Sequence, residues 1–553
     1  MKCKITAMLT CMCLLTALAG CGTPTVPVST PEGIVETSAE MPISKPEDSA
    51  EEAAANDSIS TTTEEPEVLS YDQVLFGADV LNVDFTIPEE DWAYLMENAT
   101  EKPWISGDVT IDGETFENVG IKTKGNTSLS TVAMSGSDRF SLKVNFGKYK
   151  EDQTCFGLDK LALNNIFADN TYLKEYMSYH LFHYMGVPAP LCTYAKITVN
   201  GDFYGLYLAV EDTDSSFLDR NYGADTKVEA YKPENLEFDG MPQFPRGDND
   251  SEEAGHGFPG GFPPPGELPD FEGGFPPLPG DFPLPENFSP PGGFIGFGGM
   301  DSGVSLKYVD DDPESYQSIF DNNITKIKEK DQIRLIASLK GISESEGSDL
   351  EQYINVDEIL RYTACNVFLV NMDSYFSHMG HNYVLAEEQG ILSMIPWDYN
   401  LSFGTHEISS ASEAINYAID TVFSGTTAEE RPIVGKPLAD DTYLERYHDY
   451  LREIAEDYIG SGLFSETLQE KYELLDPYVQ EDATSFGGYD AFPTGVYSLY
   501  LFGTLRAESI LGQLEGTIPA KAEERTDFTS LVDASYLDMS NLGTMGRGRL
   551  GRN

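Results

Sequence analysis

Positive charge is scarce in this chain. Its 553 residues carry 35 Lys and Arg against 92 Asp and Glu, a formal net charge of −57. Such a field repels phosphate backbones, which argues against nucleic acid as a partner. It argues equally against adsorption to anionic lipid through surface charge. A basic protein partner or bound divalent cations fit this balance, and much of the charge reads as solvating surface. Cysteine is also sparse, with seven in all. Cys3, Cys11 and Cys13 fall in an N-terminal leader, and Cys155, Cys192 and Cys365 are widely spaced in apolar surroundings. No CxxC pair exists, so no disulfide framework is implied, and the fold must stand on its hydrophobic core. Beyond the leader there is no long apolar run, and no segment reads as transmembrane. What the chain has is apolar content, 40% hydrophobic and 11% aromatic, enough for a substantial core.

The leader itself is informative. Lys2 and Lys4 precede an apolar run from Ile5 to Ala19, and Leu18-Ala19-Gly20-Cys21 follows. Residues 1–21 therefore read as a signal peptide. Their end resembles a bacterial lipobox, in which Cys21 is diacylated and becomes the first mature residue. The expected location is extracytoplasmic, at the cell envelope, with the membrane reached through the lipid anchor alone. An ordinary secretory signal is the plainer alternative. Residues 22–70 are rich in Thr, Ser, Pro and Glu and cannot bury enough surface to fold, so they read as a disordered tether.

Residues 71–239 read as a sheet-rich part. VLNVDFTI alternates as a strand, PEEDWAYLMENA as a helix, and GDVTIDGETFENVGIKTKGN as short strands about an Asp-Gly turn. RFSLKVNF (139–146) and KLALNN are further strands, and Asp169 to Met185 has helical spacing with Asp169 or Asn170 as N-cap and Gly186 as stop. TYAKITVNGDFYGLYLAVEDTD is a hairpin about Asn-Gly. The expectation is a mostly antiparallel sheet with one long helix. Residues 240–300 are Pro, Gly and Phe rich without period, a disordered surface insertion or a docking segment built on its spaced Phe residues. Residues 301–520 read as a helix-rich part, with helices over 314–340, 356–372 and 441–515, and 521–553 as a flexible tail ending in the basic MGRGRLGRN. The fold class is α+β, a sheet-rich first part followed by a helix-rich second.

Hard oxygen ligands concentrate in NMDSYFSHMGHNYVLAEEQGILSMIPWDYNLSFG, residues 371–404. Phosphoryl transfer from a magnesium nucleotide needs backbone NH groups at a turn, a cation on the phosphates, Asp and Asn for the metal, and an Asp for the acceptor hydroxyl. Asp373, at a helix exit, suits the last role. Asp398, after a short strand, and Asn382 suit magnesium, which prefers a few hard oxygens and retained waters. Each of these is individually an ordinary turn or cap residue. His378 and His381 lack zinc spacing and a second cluster, and read as lining the same loop. In the first part, Lys124-Gly125-Asn126 forms a turn after a strand, and Lys143 sits mid-strand with Glu175 as one candidate partner. Glu211 and Asp212 end the hairpin strand. Tyr231 and Trp397 could sandwich a base, or could be ordinary core residues.

Taken in order, GIKTKGNTS, RFSLKVNF, the LALNN-to-MGVP helix region, VNGDFYGLYLAVEDTD, EAYKP, NMDSYFSHMGHNYVL and IPWDYNLSFG resemble the CotH-type kinase family, atypical protein kinases named for a spore-coat protein. The resemblance covers roughly residues 74–515. It implies a two-lobed atypical protein-kinase-like fold, with ATP and Mg2+ and transfer to Ser or Thr of a protein. It also implies that Asp373 is the catalytic Asp, that Asp398 is the metal Asp with Asn382 a weaker second ligand, and that Lys124, Lys143 and Glu211 belong to the nucleotide-facing lobe; Asn126, Tyr231 and Trp397 are further candidates for the nucleotide and Asn400 for the metal. Two positions depart from the family. Asn400 stands where an acid is usual, and Lys124 where Arg is common. The principal expectation is thus an envelope-anchored Ser/Thr kinase whose acceptor, given the acidic surface, would be basic. The alternatives are a binding or assembly scaffold on the same fold, and a metal-dependent hydrolase using the same carboxylates.

Overall fold

The computed structural model describes residues 70–233 and 302–543, with Met545. The leader with Cys21, the tether as far as residue 69, the Phe/Pro insertion and the last residues of the tail lie outside them. The chain divides into two units, Met1–Ala78 and Asp79–Asn553. Within the first, Tyr71–Val74 forms one helical turn, and the Tyr71 and Phe76 rings meet edge to face at 6.2 Å.

The second unit is α+β, but its main sheet closes on itself. Seven strands, β1 (Val80–Thr86), β2 (Ile105–Ile111), β3 (Glu114–Thr123), β4 (Leu142–Asn145), β5 (Lys160–Asn164), β6 (Cys192–Val199) and β7 (Asp202–Glu211), form a barrel in the order β1-β2-β3-β4-β5-β7-β6. The local turns behave as their residues require. Asp112-Gly113 and Asn200-Gly201 all take positive φ, which suits tight hairpins to the strand twist. The sheet is mostly antiparallel, as the hairpins imply, and it closes because β1 and β6 pair in parallel from Val80↔Tyr194 to Phe85↔Val199. Closure removes both sheet edges.

Alternation then separates the two faces. Leu81, Val83, Phe85, Val109, Ile121, Leu142, Val144, Leu161 and Leu163 are buried and fill the barrel. Outside, Ala162, Tyr194, Leu206, Leu208 and Val210 pack against α3 (Lys174–Tyr184) through Met177, Leu181 and Phe182. The earlier helices α1 (Glu89–Glu97) and α2 (Thr127–Ser135) flank the barrel. Helix α3 begins later than its apolar spacing implies. Asp169 caps the preceding turns instead, accepting from the backbone nitrogens of Thr171 at 2.8 Å and Lys174 at 2.9 Å.

A three-stranded sheet of β8 (Val228–Tyr231), β9 (Tyr383–Glu388) and β10 (Ile391–Pro396) follows, with β9 central. The longer helices are α4 (Ser215–Tyr222), α5 (Glu329–Glu344), α6 (Val356–Leu369), α7 (Asp441–Glu453), α8 (Leu463–Glu481) and α9 (Ala491–Leu514), with shorter helical segments such as Pro432–Leu438 between them. The helix expected over 314–340 is broken into two short turns before α5, and that over 441–515 passes through a π-helical turn at Ile454–Ile459 and is interrupted at 460–462 and 482–490. Residues 521–543 are not a loose tail. They bury Ala534, Leu537 and Leu542. Among the described residues no helix is long and apolar enough to cross a membrane.

Buried cations join these elements. Arg139, 3% exposed, donates to Asp482 Oδ1 and Oδ2 at 2.9 and 2.7 Å, to Asn165 O at 3.1 Å and to Leu206 O at 2.5 Å, tying the barrel to the end of α8. Lys174 Nζ, wholly buried, reaches Ala168 O at 2.8 Å, Thr405 Oγ1 at 3.0 Å and Gly543 O at 3.1 Å.

Removing one partner of a buried ion pair strands the other charge, so Arg139→Ala is expected to cost about 3–5 kcal/mol, read from urea unfolding midpoints. Lys174 gives a signed pH dependence. Burial pushes its ammonium down to about 8 from the ordinary 10.5, with Asp169 opposing. Between those values the unfolded chain binds the proton and the folded chain does not, so stability rises with pH through that window. Lys174→Met should remove that rise, about 3 kcal/mol at most, when unfolding curves of the two proteins are compared across it.

Candidate active site

The loop after α6 is set by its own backbone. Val370 takes φ 47°, ending the helix, and Asn371 Oδ1 accepts from the Asp373 nitrogen at 3.1 Å. Arg431, fully buried, donates to Tyr375 O at 2.7 Å and Ser377 O at 2.8 Å and pins the turn beyond. Asp373 is thereby presented on a rigid loop. Its Oδ1 lies 2.5 Å from His381 Nε2, and its Oδ2 accepts from Asn382 Nδ2 at 2.9 Å. Burial alone would raise this carboxyl. The bond and charge of His381, with His406 and Asn382, outweigh it and hold Asp373 below its ordinary value. The loop is also tied to the next strand, because Trp397 N donates to Asn382 O at 3.3 Å. One residue on, Asp398 adopts the left-handed conformation, φ 59° and ψ 58°, and Asn400 follows in a single 3-10 turn.

The barrel supplies the other wall. Lys124 continues β3, its nitrogen donating to Ser141 O at 2.9 Å. Lys124 Nζ donates to Asn164 Oδ1 at 2.5 Å and lies 5.3 Å from the centre of the Trp397 ring. Asn164 Nδ2 donates to both oxygens of Glu175 at 3.0 and 2.8 Å. Tyr179 OH donates to Glu175 Oε1 at 3.1 Å and accepts from the backbone nitrogen of Asp398 at 3.1 Å. A continuous polar chain therefore runs from the Lys124 ammonium through Asn164, Glu175 and Tyr179 to Asp398. Burial lowers Lys124, with Asp398 and Glu175 pulling the other way. Burial and then Asp398 push Glu175 up to about 7, against Lys124, Asn164 and Tyr179.

Gly125, at φ 103°, turns the chain from Lys124 into α2. A Cβ there would sit 2.8 Å from Ser128 Oγ. Asn126 makes no side-chain cap to α2; its Oδ1 accepts from Lys102 Nζ at 2.5 Å instead. The first NH groups of α2 are thus left to an anion or to water.

A magnesium ion fits the donor set. Among the described residues no three His, Cys, Asp or Glu gather as a metal cage, but magnesium takes only one or two protein carboxylates. Asp398 is half-buried, and no side-chain donor among the described residues engages its carboxylate. Asn382 turns its nitrogen to Asp373, which leaves its oxygen on the other side. Asp373 is already engaged through both oxygens.

Of the residues singled out from sequence, Lys124 lies over the Trp397 ring and within electrostatic reach of Asp398, and Asp373 with Asn382 adjoins them through the Trp397 backbone. Lys143 does not pair with Glu175. It pairs with Asp212 at 2.5 Å, because β4 lies across β5 from the end of β7. Glu211 is fully buried and bonded to Arg220 at 2.6 Å, which commits it to the fold. Tyr231 is wholly buried against Phe320, with no open face for a base. Its neighbour Lys232 faces the Trp397 ring instead, at 5.9 Å, as Lys124 does at 5.3 Å. Asn164, Glu175 as partner of this chain, Tyr179 and His381 as partner of Asp373 were not legible as site residues. KLALNN and KEYMSYH carry no motif beyond strand and helix spacing.

The family described as CotH kinase protein matches residues 121–510. Inner spore coat protein H of Bacillus subtilis (strain 168) is 22% identical over 347 residues, 61% of this chain and 75% of that protein.

Glu175→Ala leaves the Asn164 amide and the Tyr179 hydroxyl buried without an acceptor. The expected loss is about 1–3 kcal/mol in urea unfolding, with Glu175→Gln closer to the parent.

Proposed function

The chain belongs to the CotH kinase protein family, and on that footing we propose that it transfers the γ-phosphoryl group of ATP to Ser or Thr hydroxyls of a protein. The observation that carries this reading is the hydrogen-bonded chain from Lys124 through Asn164, Glu175 and Tyr179 to the Asp398 backbone, with Asp373 on the adjoining loop. Lys124 would offset phosphate charge, and the open NH groups at the start of α2 would receive phosphate oxygens. Asp398, with the amide oxygens of Asn382 and Asn400, would hold Mg2+, which when bound draws charge from the phosphate oxygens. Asp373 would orient the acceptor hydroxyl and take its proton, its two oxygens positioned by His381 and Asn382. The low position of its carboxyl keeps it ionised at neutral pH.

A second reading, a non-catalytic binding scaffold, draws on Asn400. Amide in place of acid leaves one negative charge fewer to retain the metal. The setting follows from two features. The relative is a spore coat protein by name, and residues 1–21 end in a lipobox-like sequence with Cys21, so we place this protein outside the cytoplasm and anchored by lipid.

The expected result is transfer of labelled phosphate from ATP and Mg2+ to the protein itself or to a Ser/Thr substrate. Asp373→Ala should lower the rate by about 100-fold or more, while ATP affinity by calorimetry stays within about threefold. Asp398→Ala should instead abolish the magnesium dependence of ATP binding. ATP binding without transfer in the parent protein would favour the scaffold.

A further inference from the structure

Lysines are few in this chain, yet they crowd on one face of the barrel. In the register of β3 and β4, Lys122 stands directly opposite Lys143. Like charges facing each other across antiparallel strands are unfavourable. Lys143 is compensated by Asp212. Lys122 is not placed against a carboxylate but over the Trp104 ring, 4.8 Å from its centre. Lys148 lies over the same ring at 5.0 Å. Gly120 makes this packing possible, since a Cβ there would come within 2.6 Å of the Lys148 stem and 3.1 Å of Trp104. Burial, then Lys143 and Lys102, push the Lys122 ammonium below its ordinary value, with Asp212 the one acid acting against them. A chain of net charge −57 thus keeps a concentrated positive face, built on an aromatic plate and bordering the turn at Gly125.

We propose that this face, formed by Lys122, Lys148 and Trp104, docks an acidic segment of the protein acceptor next to the phosphoryl-transfer site. The inference rests on the kinase reading above and deepens it. It also reverses the expectation drawn from net charge, because the acceptor meets the local field of the cleft rim and not the average field of the surface. Charge complementarity fixes the class of occupant: a Ser/Thr-bearing stretch with Asp or Glu nearby, whose carboxylates sit over the two ammonium groups. Each phosphate added to such a segment strengthens its hold, so a segment with several hydroxyls is modified repeatedly.

A peptide with these properties is EDSAEEAAANDSISTTTEEPE, residues 47–67 of this chain, which has eight acids, six Ser or Thr and no Lys or Arg. The test uses this peptide and a counterpart with every acid replaced by Lys, with the full-length protein and its Lys122→Ala/Lys148→Ala form. Fluorescence anisotropy on an Asp373→Asn background reads docking without turnover, and steady-state kinetics read transfer. The acidic peptide is expected to bind the parent at least about tenfold more tightly than the Lys peptide. The double variant should lose that preference and raise the peptide KM, with the KM for ATP unchanged. The preference should also fade at high salt. Equal binding of the two peptides by the parent overturns the inference. So does a raised KM for ATP in the double variant, which would assign the lysines to the nucleotide. Docking of the acidic peptide without any transfer would leave this surface standing and remove the kinase reading instead.

Discussion

One enclosed carboxylate organises the centre of the molecule. Glu175 is held by two bonds from Asn164 and one from Tyr179, and burial makes its charge costly wherever that set is incomplete. Each donor comes from a different structural demand. Asn164 ends a barrel strand, Tyr179 lies one turn along α3, and the Tyr179 hydroxyl is fixed in turn by the backbone of Asp398. Satisfying Glu175 therefore sets the distance between barrel wall, helix and the loop after β10. Lys124 is positioned as a by-product, through the far side of the same asparagine.

This network explains what the sequence did and did not disclose. Hairpins were legible because Asn200-Gly201 and Asp112-Gly113 announce their turns locally. Barrel closure was not, since β1 and β6 pair in parallel across more than a hundred intervening residues and no turn chemistry marks such a contact. The helix-rich second part was visible from spacing, and its breaks over 441–515 fall where Gly462 and Gly488 take positive φ. Asp373, Asn382 and Asp398 stood out because hard oxygen ligands crowd a short stretch. Glu175 did not, being one acid among many on an apolar helix, and Lys143 drew attention toward it for the wrong reason.

Charge is used in two contrasting ways. The acids are mostly at the surface, whereas several of the few cations are enclosed and work as joints. Arg139 closes the barrel against α8, and Arg431 holds the loop that carries Asp373. Arg506 is wholly buried among the carbonyls of Ile415, Tyr417 and Val367, and burial pushes its guanidinium down to about 9. Guanidinium suits this work because several fixed donors satisfy several carbonyls at once. The lysines left outside are then conspicuous by where they collect.

The bond from Lys174 to the Gly543 carbonyl has a consequence in time. Glu175 follows Lys174 directly, so the start of its helix is secured by residues made hundreds of positions later. During synthesis the barrel strands can pair long before that anchor exists. A chain cut short before 543 lacks that carbonyl and leaves the Lys174 ammonium with Ala168 O and Thr405 Oγ1 alone.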